Sequence, residues 1–365
     1  MGFYELIKKY KEFNVESFLK QVTVQDVQNV LAKEKLDERD FLCLLSPAAI
    51  PHLKMMAQIA NRLTLKNFGQ VILLFTPIYL ADYCMNECVY CSFNIKNEFK
   101  RSKLTMEQLE EVAINISKTG LKHVLILTGE SRVHTPVSYI EECTILLRKY
   151  FTSVSIEVYP LERFEYERLA KAGIDGITIY QEVYDEKIYD NLHKSGPKKN
   201  YHFRLDAPER AAKAGLRTIS IGALLGLNDF AAEVFFTGLH AQYLQKKYWD
   251  IEVGVSLPRF RPHLGNFVPK NPVSDRNLVQ ALIALRIFLP RCGISISTRE
   301  DPAFRENILS LGVTRISAGV STNVGGHTMH GKTKSQFEIS DARSVTQIKE
   351  MLENKGYQPT FIDWR

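Results

Sequence analysis

The sequence predicts an α/β fold, a complete (β/α)8 barrel of the TIM type, and three observations lead to that prediction. After residue 69, short β-branched runs alternate with longer amphipathic segments, the pattern of repeated strand–helix units around a parallel sheet. Eight such runs are present, and eight strands close a barrel of this type. The chain has 365 residues, enough for a barrel of about 250 residues with an extension at each end.

The eight predicted strands are separated by segments long enough to hold a helix. They cover residues 71–79, 123–128, 154–159, 176–180, 218–222, 251–257, 294–298 and 313–318. Capping signals mark several of the intervening helices. Thr105 and Gln108 have the spacing of a capping box at a helix start. Gly173 is typical of a helix end, because glycine readily adopts the left-handed conformation found there.

The segments outside the barrel are predicted to be mainly helical. Before residue 69, apolar side chains recur at helical spacing, as in Val27, Val30 and Leu31 after the N-cap candidate Thr23. We therefore expect a helical N-terminal extension over residues 1–69 and the barrel over 70–320. A C-terminal extension over 321–365, with a helix at 341–355, is expected to close the barrel.

Composition and charge exclude several classes of protein. Apolar residues make up 45% and charged residues 24% of the chain, close to the averages for soluble globular proteins. The net charge of +6 is spread without a block of like charges, so a nucleic-acid partner is not expected. The most apolar stretch, 71–81, is about half the roughly 20 residues that a membrane-spanning helix needs. With no signal-peptide pattern at the N-terminus, we expect a cytoplasmic protein without a membrane partner.

Three of the six cysteines lie within one short segment. Cys84, Cys88 and Cys91 form a CxxxCxxC pattern, with Tyr90 before the last cysteine. Three thiolates on one loop can hold three irons of a [4Fe-4S] cluster and leave the fourth iron without a protein ligand. Zinc is the alternative metal, but it would need a fourth ligand, and no Cys or His follows at zinc-finger spacing. The remaining cysteines stand alone and are expected to be small buried side chains: Cys43, Cys143 and Cys292.

The cysteine loop, placed after the first predicted strand, resembles the signature of the radical S-adenosylmethionine (SAM) enzymes. In that family the free iron binds the amino and carboxylate groups of SAM. The resemblance therefore implies a [4Fe-4S] cluster and SAM as cofactors, with Cys84, Cys88 and Cys91 as the cluster ligands.

Further cofactor contacts are expected at the carboxyl ends of the strands, where barrels of this type place their active sites. Thr128, Gly129 and Glu130 stand where the family has a Gly-Gly-Glu-like segment that contacts the SAM amino group, although Thr128 departs from that pattern. Arg204 is a candidate clamp for the SAM carboxylate, because a guanidinium matches a carboxylate bidentately. Glu157, a carboxylate that is costly to bury unpaired, would bind a ribose or ammonium group or form a salt bridge to a barrel arginine. The remaining candidates for cofactor binding are Tyr90, Gln181 and Glu182.

Later segments resemble the tyrosine lyases of thiamine biosynthesis, a group of radical SAM enzymes that act on aromatic amino acids. They are Ser256-Leu257-Pro258-Arg259, Ser297-Thr298-Arg299-Glu300 and residues 317–322, 325–327 and 335–341. The resemblance implies cleavage of the Cα–Cβ bond of L-tyrosine to 2-iminoacetate and p-cresol, with SAM converted to 5′-deoxyadenosine and methionine. Arg299 and Ser321, and next Arg259, are the candidates for holding the substrate carboxylate. An electron donor such as flavodoxin or ferredoxin and a thiazole synthase are the expected partners.

Three alternatives remain open. The hydrogenase-maturation tyrosine lyase has an added C-terminal region with three further cysteines, whereas the last cysteine here is Cys292 and the chain ends at Arg365. A tryptophan lyase shares the barrel and would differ in substrate. A non-catalytic iron–sulfur protein would need a fourth cluster ligand from the protein. The aromatic substrate and the oligomeric state are not determined by these patterns.

Overall fold

The structure is a computed structural model that describes residues 2–10, 13–328 and 335–362. It confirms the predicted barrel, because eight parallel strands pair in chain order and the eighth pairs with the first. The strands are Val71–Ala81 (β1), His123–Thr128 (β2), Ser153–Glu157 (β3), Gly176–Glu182 (β4), Thr218–Ala223 (β5), Glu252–Ser256 (β6), Gly293–Ile296 (β7), Arg315–Ser317 (β8) and, outside the barrel, Gln358–Thr360 (β9).

Only β2 has the predicted bounds; the other seven barrel strands differ from their predicted ranges by one or two residues at one or both ends, and β9 is additional. β1 continues two residues further, to Ala81, after a register shift against β2 between Tyr79 and Ala81. β9 was not predicted, because it has three residues and contains Pro359, which lacks the N–H of a central strand. It adds to the amino-terminal part of β1 as an edge strand.

Helices surround the barrel and form the N-terminal extension. They are Phe3–Lys9 (α1), Val15–Gln21 (α2), Val24–Leu31 (α3), Glu38–Leu44 (α4), Leu53–Phe68 (α5), Met106–Ser117 (α6), Val137–Leu147 (α7), Arg163–Ala172 (α8), Glu186–Leu192 (α9), Tyr201–Leu205 (α10), Ala207–Lys213 (α11), Phe230–Lys247 (α12), Asp275–Phe288 (α13), Pro302–Asn307 (α14) and Val345–Asn354 (α15). Short 3-10 turns lie at Pro47–His52, Pro197–Lys199 and Leu309–Leu311. None of the helices in the described ranges is both long and apolar enough to cross a membrane.

The N-terminal extension packs on the helical layer through α4 and α5. Phe41 of α4 stacks on Phe288 of α13, with ring centroids 4.4 Å apart. Gly238 of α12 makes room for this ring, because a Cβ there would lie 2.3 Å from a Phe41 ring carbon. α5 also packs on α13. The extension therefore shares one apolar core with the outside of the barrel.

The C-terminal extension is anchored by a buried ion-pair network. Arg305 of α14 donates to the fully buried carboxylate of Asp341 and to the Ser317 carbonyl oxygen at the end of β8. Arg343 also donates to Asp341, at 2.7 Å. The predicted helix at 341–355 is shorter in the structure, because Asp341 is used in this network and Ser344 caps α15.

Successive side chains of each strand point to opposite sides of the sheet, so the barrel has an outer face and an inner face that differ. The outward side chains, such as Ile126, Ile156 and Ile219, are buried in the core between sheet and helices. The inward side chains enclose a cavity and are rich in hydroxyl groups: Ser155, Thr178, Thr218, Ser220, Ser256, Ser295, Ser297 and Ser317. The apolar core thus lies outside the strands, and the space inside them is available for polar ligands.

Candidate active site

The main cavity lies inside the barrel and has a volume of about 180 Å³. It extends from Phe75 in the middle of β1 and His123 at the start of β2 to the loops that follow the strands. The charged and phenolic side chains on its wall, in addition to the hydroxyl groups, are Tyr79, Tyr90, Glu157, Tyr180, Glu182, Lys198, Arg261, Arg299 and Arg315. The position of the cavity agrees with the expectation that the site lies at the carboxyl ends of the strands.

The cysteine loop follows β1 and borders this cavity. Cys91 lines the cavity wall, Cys88 is buried and Cys84 is partly exposed. Burial raises the pKa of Cys91 to about 11, and the nearby Cys84 thiol acts in the same direction. Burial also raises the pKa of Cys88, where the other two thiols add to the effect and Lys198 opposes it. The three thiols therefore lie within electrostatic range of one another and of one ammonium group.

The residues of this loop fit an iron–sulfur cluster better than a single metal ion. Within the described ranges, no three His, Cys, Asp or Glu side chains converge closely enough to hold one ion. A mononuclear zinc site, which needs four close ligands, is therefore not formed by these residues. A [4Fe-4S] cluster instead takes one thiolate for each iron, and three cysteines leave one iron without a protein ligand.

The residues after β2 support the cysteine loop. Gly129 is needed for close packing, because a Cβ there would lie 2.3 Å from the Tyr83 carbonyl oxygen and 3.1 Å from Cys84 Cβ. The Glu130 carboxylate accepts a hydrogen bond from the Asn86 amide at 2.7 Å, and its carbonyl oxygen accepts one from the Met85 N–H. Thr128, Gly129 and Glu130 do not line the cavity. Gly129 and Glu130 therefore support the conformation of the cysteine loop, whereas the buried Thr128 hydroxyl has no hydrogen-bond partner among the described residues.

The candidates on and after β4 divide into two groups. Glu182 lines the cavity, has a left-handed backbone (φ 69°) and forms an ion pair with Lys198 at 2.7 Å. Gln181 and Arg204 do not line it. Gln181 alternates to the helix side of the strand, and Arg204 donates to the Tyr180 carbonyl oxygen at 2.6 Å. Neither side chain therefore lines the cavity, although Arg204 lies 3.7 Å from the Glu182 carboxylate, and a role in cofactor binding stays a prediction for both.

Two other candidates are placed on the cavity wall as expected. Tyr90 lines the cavity and its hydroxyl group lies 2.6 Å from His193 Nε2. Glu157 faces the cavity, and no described cation lies within 4.0 Å of its carboxylate, so the salt-bridge alternative is not formed. Burial, together with the charge of Glu182, raises the pKa of Glu157 to about 7.

Arg299 is the cavity arginine best placed to receive an anionic group. Its guanidinium lies over the Phe337 ring, 3.4 Å from the centroid, and the side chain lines the cavity. Burial lowers the pKa of Arg299, whereas the neighbouring Tyr79 and Tyr180 act in the opposite direction. Stacking on a ring leaves the edge of a guanidinium free to donate hydrogen bonds.

Arg259 and Ser321 are not placed as predicted. Arg259 forms a buried ion pair with Glu300, also donates to Asp275, and does not line the main cavity. Its neighbour Arg261 lines the cavity instead and donates to the same Glu300 at 3.1 Å. Ser321 lies on a smaller surface pocket, whereas the adjacent Thr322 faces the barrel. In the loop after β6 the arginine that lines the cavity is Arg261, two positions after Arg259. In the loop after β8 the hydroxyl side chain that lines it is Thr322, one position after Ser321.

Several cavity residues were missed by the sequence analysis. Tyr79 and Tyr180 could have been found from strand alternation, because each lies two residues after another inward position. Gln336 accepts a hydrogen bond from the Tyr79 hydroxyl at 2.7 Å and so ties the C-terminal extension to β1. Lys198 lies in a single 3-10 turn and Gln336 in a loop, and neither segment is long enough for a periodic pattern to indicate which way a side chain points.

Comparisons with known proteins agree with this geometry. Residues 78–236 match the radical SAM superfamily and residues 256–358 match the biotin and thiamin synthesis associated domain. The 2-iminoacetate synthase of Salmonella typhimurium is 36% identical over 94% of this chain and 91% of that protein, and the Escherichia coli 2-iminoacetate synthase shows the same values.

Solved structures show the same likeness. The crystal structure of HydG, a maturase of the [FeFe]-hydrogenase, has a TM-score of 0.90 and 30% identity, over 96% of this chain and 80% of that one. Methylornithine synthase (PylB), at a TM-score of 0.74 and 21% identity over 92% of this chain and 97% of that one, shares the fold. The extent of the sequence identity and the cysteine loop at the barrel mouth lead to one conclusion. The chain belongs to the 2-iminoacetate synthase family of radical SAM enzymes.

Proposed function

We propose that this protein is a radical SAM tyrosine lyase that cleaves the Cα–Cβ bond of L-tyrosine to 2-iminoacetate and p-cresol. SAM is converted to 5′-deoxyadenosine and methionine, and the 2-iminoacetate serves thiazole formation in thiamine biosynthesis. The observation that carries the proposal is the identity of 36% to 2-iminoacetate synthases over 94% of the chain. The cysteine loop beside a polar barrel cavity supports it independently.

Cys84, Cys88 and Cys91 would hold the [4Fe-4S] cluster. When bound, the cluster would supply one electron for the reductive cleavage of SAM, the radical chemistry with which the reaction would begin. Glu182 and Lys198 border the cavity near the cysteine loop and offer one carboxylate and one ammonium group to the polar parts of SAM. Glu157 offers a second carboxylate, suited to a ribose or an ammonium group.

Arg299 is the proposed ligand of the tyrosine carboxylate. Its stacking on Phe337 fixes the plane of the guanidinium before substrate binds, so less conformational entropy is lost on binding. Thr322 is close in sequence to the predicted Ser321 and presents a hydroxyl group to the same cavity. Phe337 and Gln336 cover this side of the cavity and reduce access of water to a reactive intermediate.

The test is anaerobic reconstitution with iron and sulfide, followed by incubation with SAM, dithionite and either tyrosine or tryptophan. The proposal predicts p-cresol and 5′-deoxyadenosine with tyrosine, and no cleavage of tryptophan. Deoxyadenosine without p-cresol would show that the substrate is wrong. Formation of neither product by protein containing a complete cluster would overturn the radical SAM assignment.

A hydrogenase-maturation lyase is the second candidate, and the TM-score of 0.90 to the maturase HydG favours it. Cys43 in α4, Cys143 in α7 and Cys292 before β7 are buried on separate elements. Within the described ranges they do not form a second cysteine cluster. An assay for carbon monoxide in the tyrosine reaction separates the candidates, because the thiamine lyase is expected to release none.

A further inference from the structure

We propose that Asn86 is a positioning residue of the cysteine loop that raises the reduction potential of the iron–sulfur cluster through a hydrogen bond to the Cys84 sulfur. This inference rests on the proposed function, because it takes Cys84 to be a ligand of the cluster. Asn86 lies midway between Cys84 and Cys88 in the sequence, and its side chain is buried. An amide buried beside a thiol must be accounted for by the partners of its oxygen and its nitrogen.

The orientation of the Asn86 amide is fixed by two partners of opposite kind. The Lys198 backbone N–H donates to Asn86 Oδ1 at 2.8 Å, and a backbone N–H can only donate. On the other side, Asn86 Nδ2 donates to the Glu130 carboxylate at 2.7 Å, and a carboxylate can only accept. Both contacts agree on which atom is the oxygen, so the nitrogen is the atom that faces Glu130.

The second hydrogen of the Asn86 amide is directed to a cysteine sulfur. An amide nitrogen carries two hydrogens, and the Glu130 carboxylate takes one of them. Cys84 Sγ lies 3.6 Å from the same Nδ2, within hydrogen-bonding distance for a sulfur acceptor. The Asn86 amide therefore uses both of its hydrogens, one for the loop after β2 and one for Cys84.

The surroundings of Asn86 hold this donor in place. Gly196 packs directly on it, because a Cβ at Gly196 would lie 2.5 Å from Asn86 Oδ1 and 2.7 Å from Asn86 Cα. The Ile95 N–H donates to the Asn86 carbonyl oxygen at 2.9 Å. A donor fixed in advance need not reorganise when the charge on its acceptor changes.

A hydrogen bond to a ligand sulfur affects the two oxidation states of a cluster unequally. Reduction adds one electron, and part of the added negative charge lies on the sulfur atoms. An N–H donor therefore stabilises the reduced state more than the oxidised state, since hydrogen bonds to charged acceptors are the stronger ones. Hydrogen bonds to the sulfurs are among the factors that set the potentials of iron–sulfur clusters. Loss of the Asn86 donor should thus make the cluster harder to reduce.

The experiment is a redox titration of the reconstituted enzyme without SAM, followed by the EPR signal of the reduced cluster. It compares the wild type with Asn86→Leu, in which a side chain of similar size lacks the N–H donor. The matched control is Asn94→Leu, because Asn94 lies in the same loop and donates to the Cys88 carbonyl oxygen at 2.9 Å instead of a sulfur. Iron per chain is measured for each variant, so that potentials are compared between proteins with a complete cluster.

A second variant serves if Asn86→Leu takes up too little iron. Asn86→Asp combined with Glu130→Gln keeps the total charge and the oxygen acceptor for the Lys198 N–H. The two exchanged side chains can still form a hydrogen bond to each other, with donor and acceptor reversed. The donor to Cys84 is lost, so this exchange variant makes the same prediction while preserving the loop.

We expect the midpoint potential to fall in Asn86→Leu and in the exchange variant and to stay at the wild-type value in Asn94→Leu. The equilibrium constant for reduction should fall about tenfold, which corresponds to about 59 mV for a one-electron couple. An unchanged or higher potential in the variants that lack the donor, or an equal fall in Asn94→Leu, would overturn the proposal. A wild type that forms no [4Fe-4S] cluster would instead contradict the proposed function.

Discussion

The Arg299 guanidinium carbon lies 3.4 Å from the centroid of the Phe337 ring at the cavity wall, and this position supports the proposed contact to the tyrosine carboxylate. We expect Arg299→Ala to raise the KM for tyrosine by about 10- to 100-fold, because hydrogen bonds between charged groups contribute about 1.5–3 kcal/mol. Arg299→Lys should recover little of the loss, since an ammonium group cannot replace the planar bidentate donor. Steady-state p-cresol formation measures both, with Arg276→Ala on the exposed surface as the control. A KM unchanged in Arg299→Ala would refute the assignment.

Glu157 should make the stability of the ligand-free protein depend on pH. Its pKa is about 7 in the folded protein, against about 4.3 in the unfolded chain. The folded state therefore holds the extra proton between these values, and the free energy of unfolding falls as the pH rises through this window. Glu182 contributes to the shift, whereas Arg299 and Lys198 oppose it.

In the variant Glu157→Gln the side chain no longer titrates, so the loss of stability with rising pH should disappear. The variant should unfold at a higher denaturant concentration than the wild type at about pH 8 and close to the wild-type value at about pH 4, below both pKa values. Denaturation of the ligand-free protein at the two pH values tests this, with Glu111→Gln on the exposed face of α6 as the control. An equal difference at both pH values would contradict the explanation, because a packing change has no reason to follow the titration.

The residue candidates show how far the sequence can locate a site. Cys91, Tyr90, Glu157, Glu182 and Arg299 line the cavity. Alternation along β3 and β4 determines the direction of Glu157 and Glu182, whereas the other three lie in the loops that follow β1 and β7. Other candidates do not line the cavity, and most of these lie where the chain leaves the regular strand. Arg259 and Ser321 lie in loops whose path depends on tertiary contacts, such as the pairing of Arg259 with Glu300.

At the scale of secondary structure elements, Glu300 joins the loops after β6 and β7. Its carboxylate is 3% exposed and accepts hydrogen bonds from Arg259 and Arg261, whereas the other partner of Arg259, Asp275, is 65% exposed. Glu300→Gln should lower the free energy of unfolding by about 3 kcal/mol, because it leaves buried guanidinium charge uncompensated. Asp275→Asn should cost less than about 1 kcal/mol, as for other exposed ion pairs. Chemical denaturation of both variants checks the contrast, and equal losses would contradict it.

The contact between the end of β2 and the cysteine loop gives a second prediction for these elements. Gly129→Ala would place a Cβ 2.3 Å from the Tyr83 carbonyl oxygen, so the loop must move. We expect less iron bound per chain after reconstitution, with a loss of stability of about 1–3 kcal/mol from overpacking. Gly293→Ala is the matched control, because its Cβ would meet its nearest neighbour at an ordinary 3.6 Å. Full iron incorporation in Gly129→Ala would show that this contact does not shape the loop.

For the whole molecule, the eight strands were predictable because each has an outward row of β-branched residues that packs under the helices. The polar interior was less visible, since serine and threonine alternate with those residues without forming a motif. A C-terminal extension that closes the barrel was expected, but the residues that hold it in place could not be predicted. They make long-range contacts, namely the hydrogen bond between Tyr79 and Gln336 and the pairing of Arg305 with Asp341.

We propose that the cysteine loop and the barrel cavity together cleave tyrosine by radical chemistry. The sharpest test is the ratio of p-cresol to 5′-deoxyadenosine formed by the reconstituted wild-type enzyme with tyrosine, compared with the variant Cys91→Ala. We expect one p-cresol for each 5′-deoxyadenosine in the wild type and neither product in the variant. Deoxyadenosine formation that does not depend on tyrosine and gives no p-cresol, or equal product formation by Cys91→Ala, would contradict it.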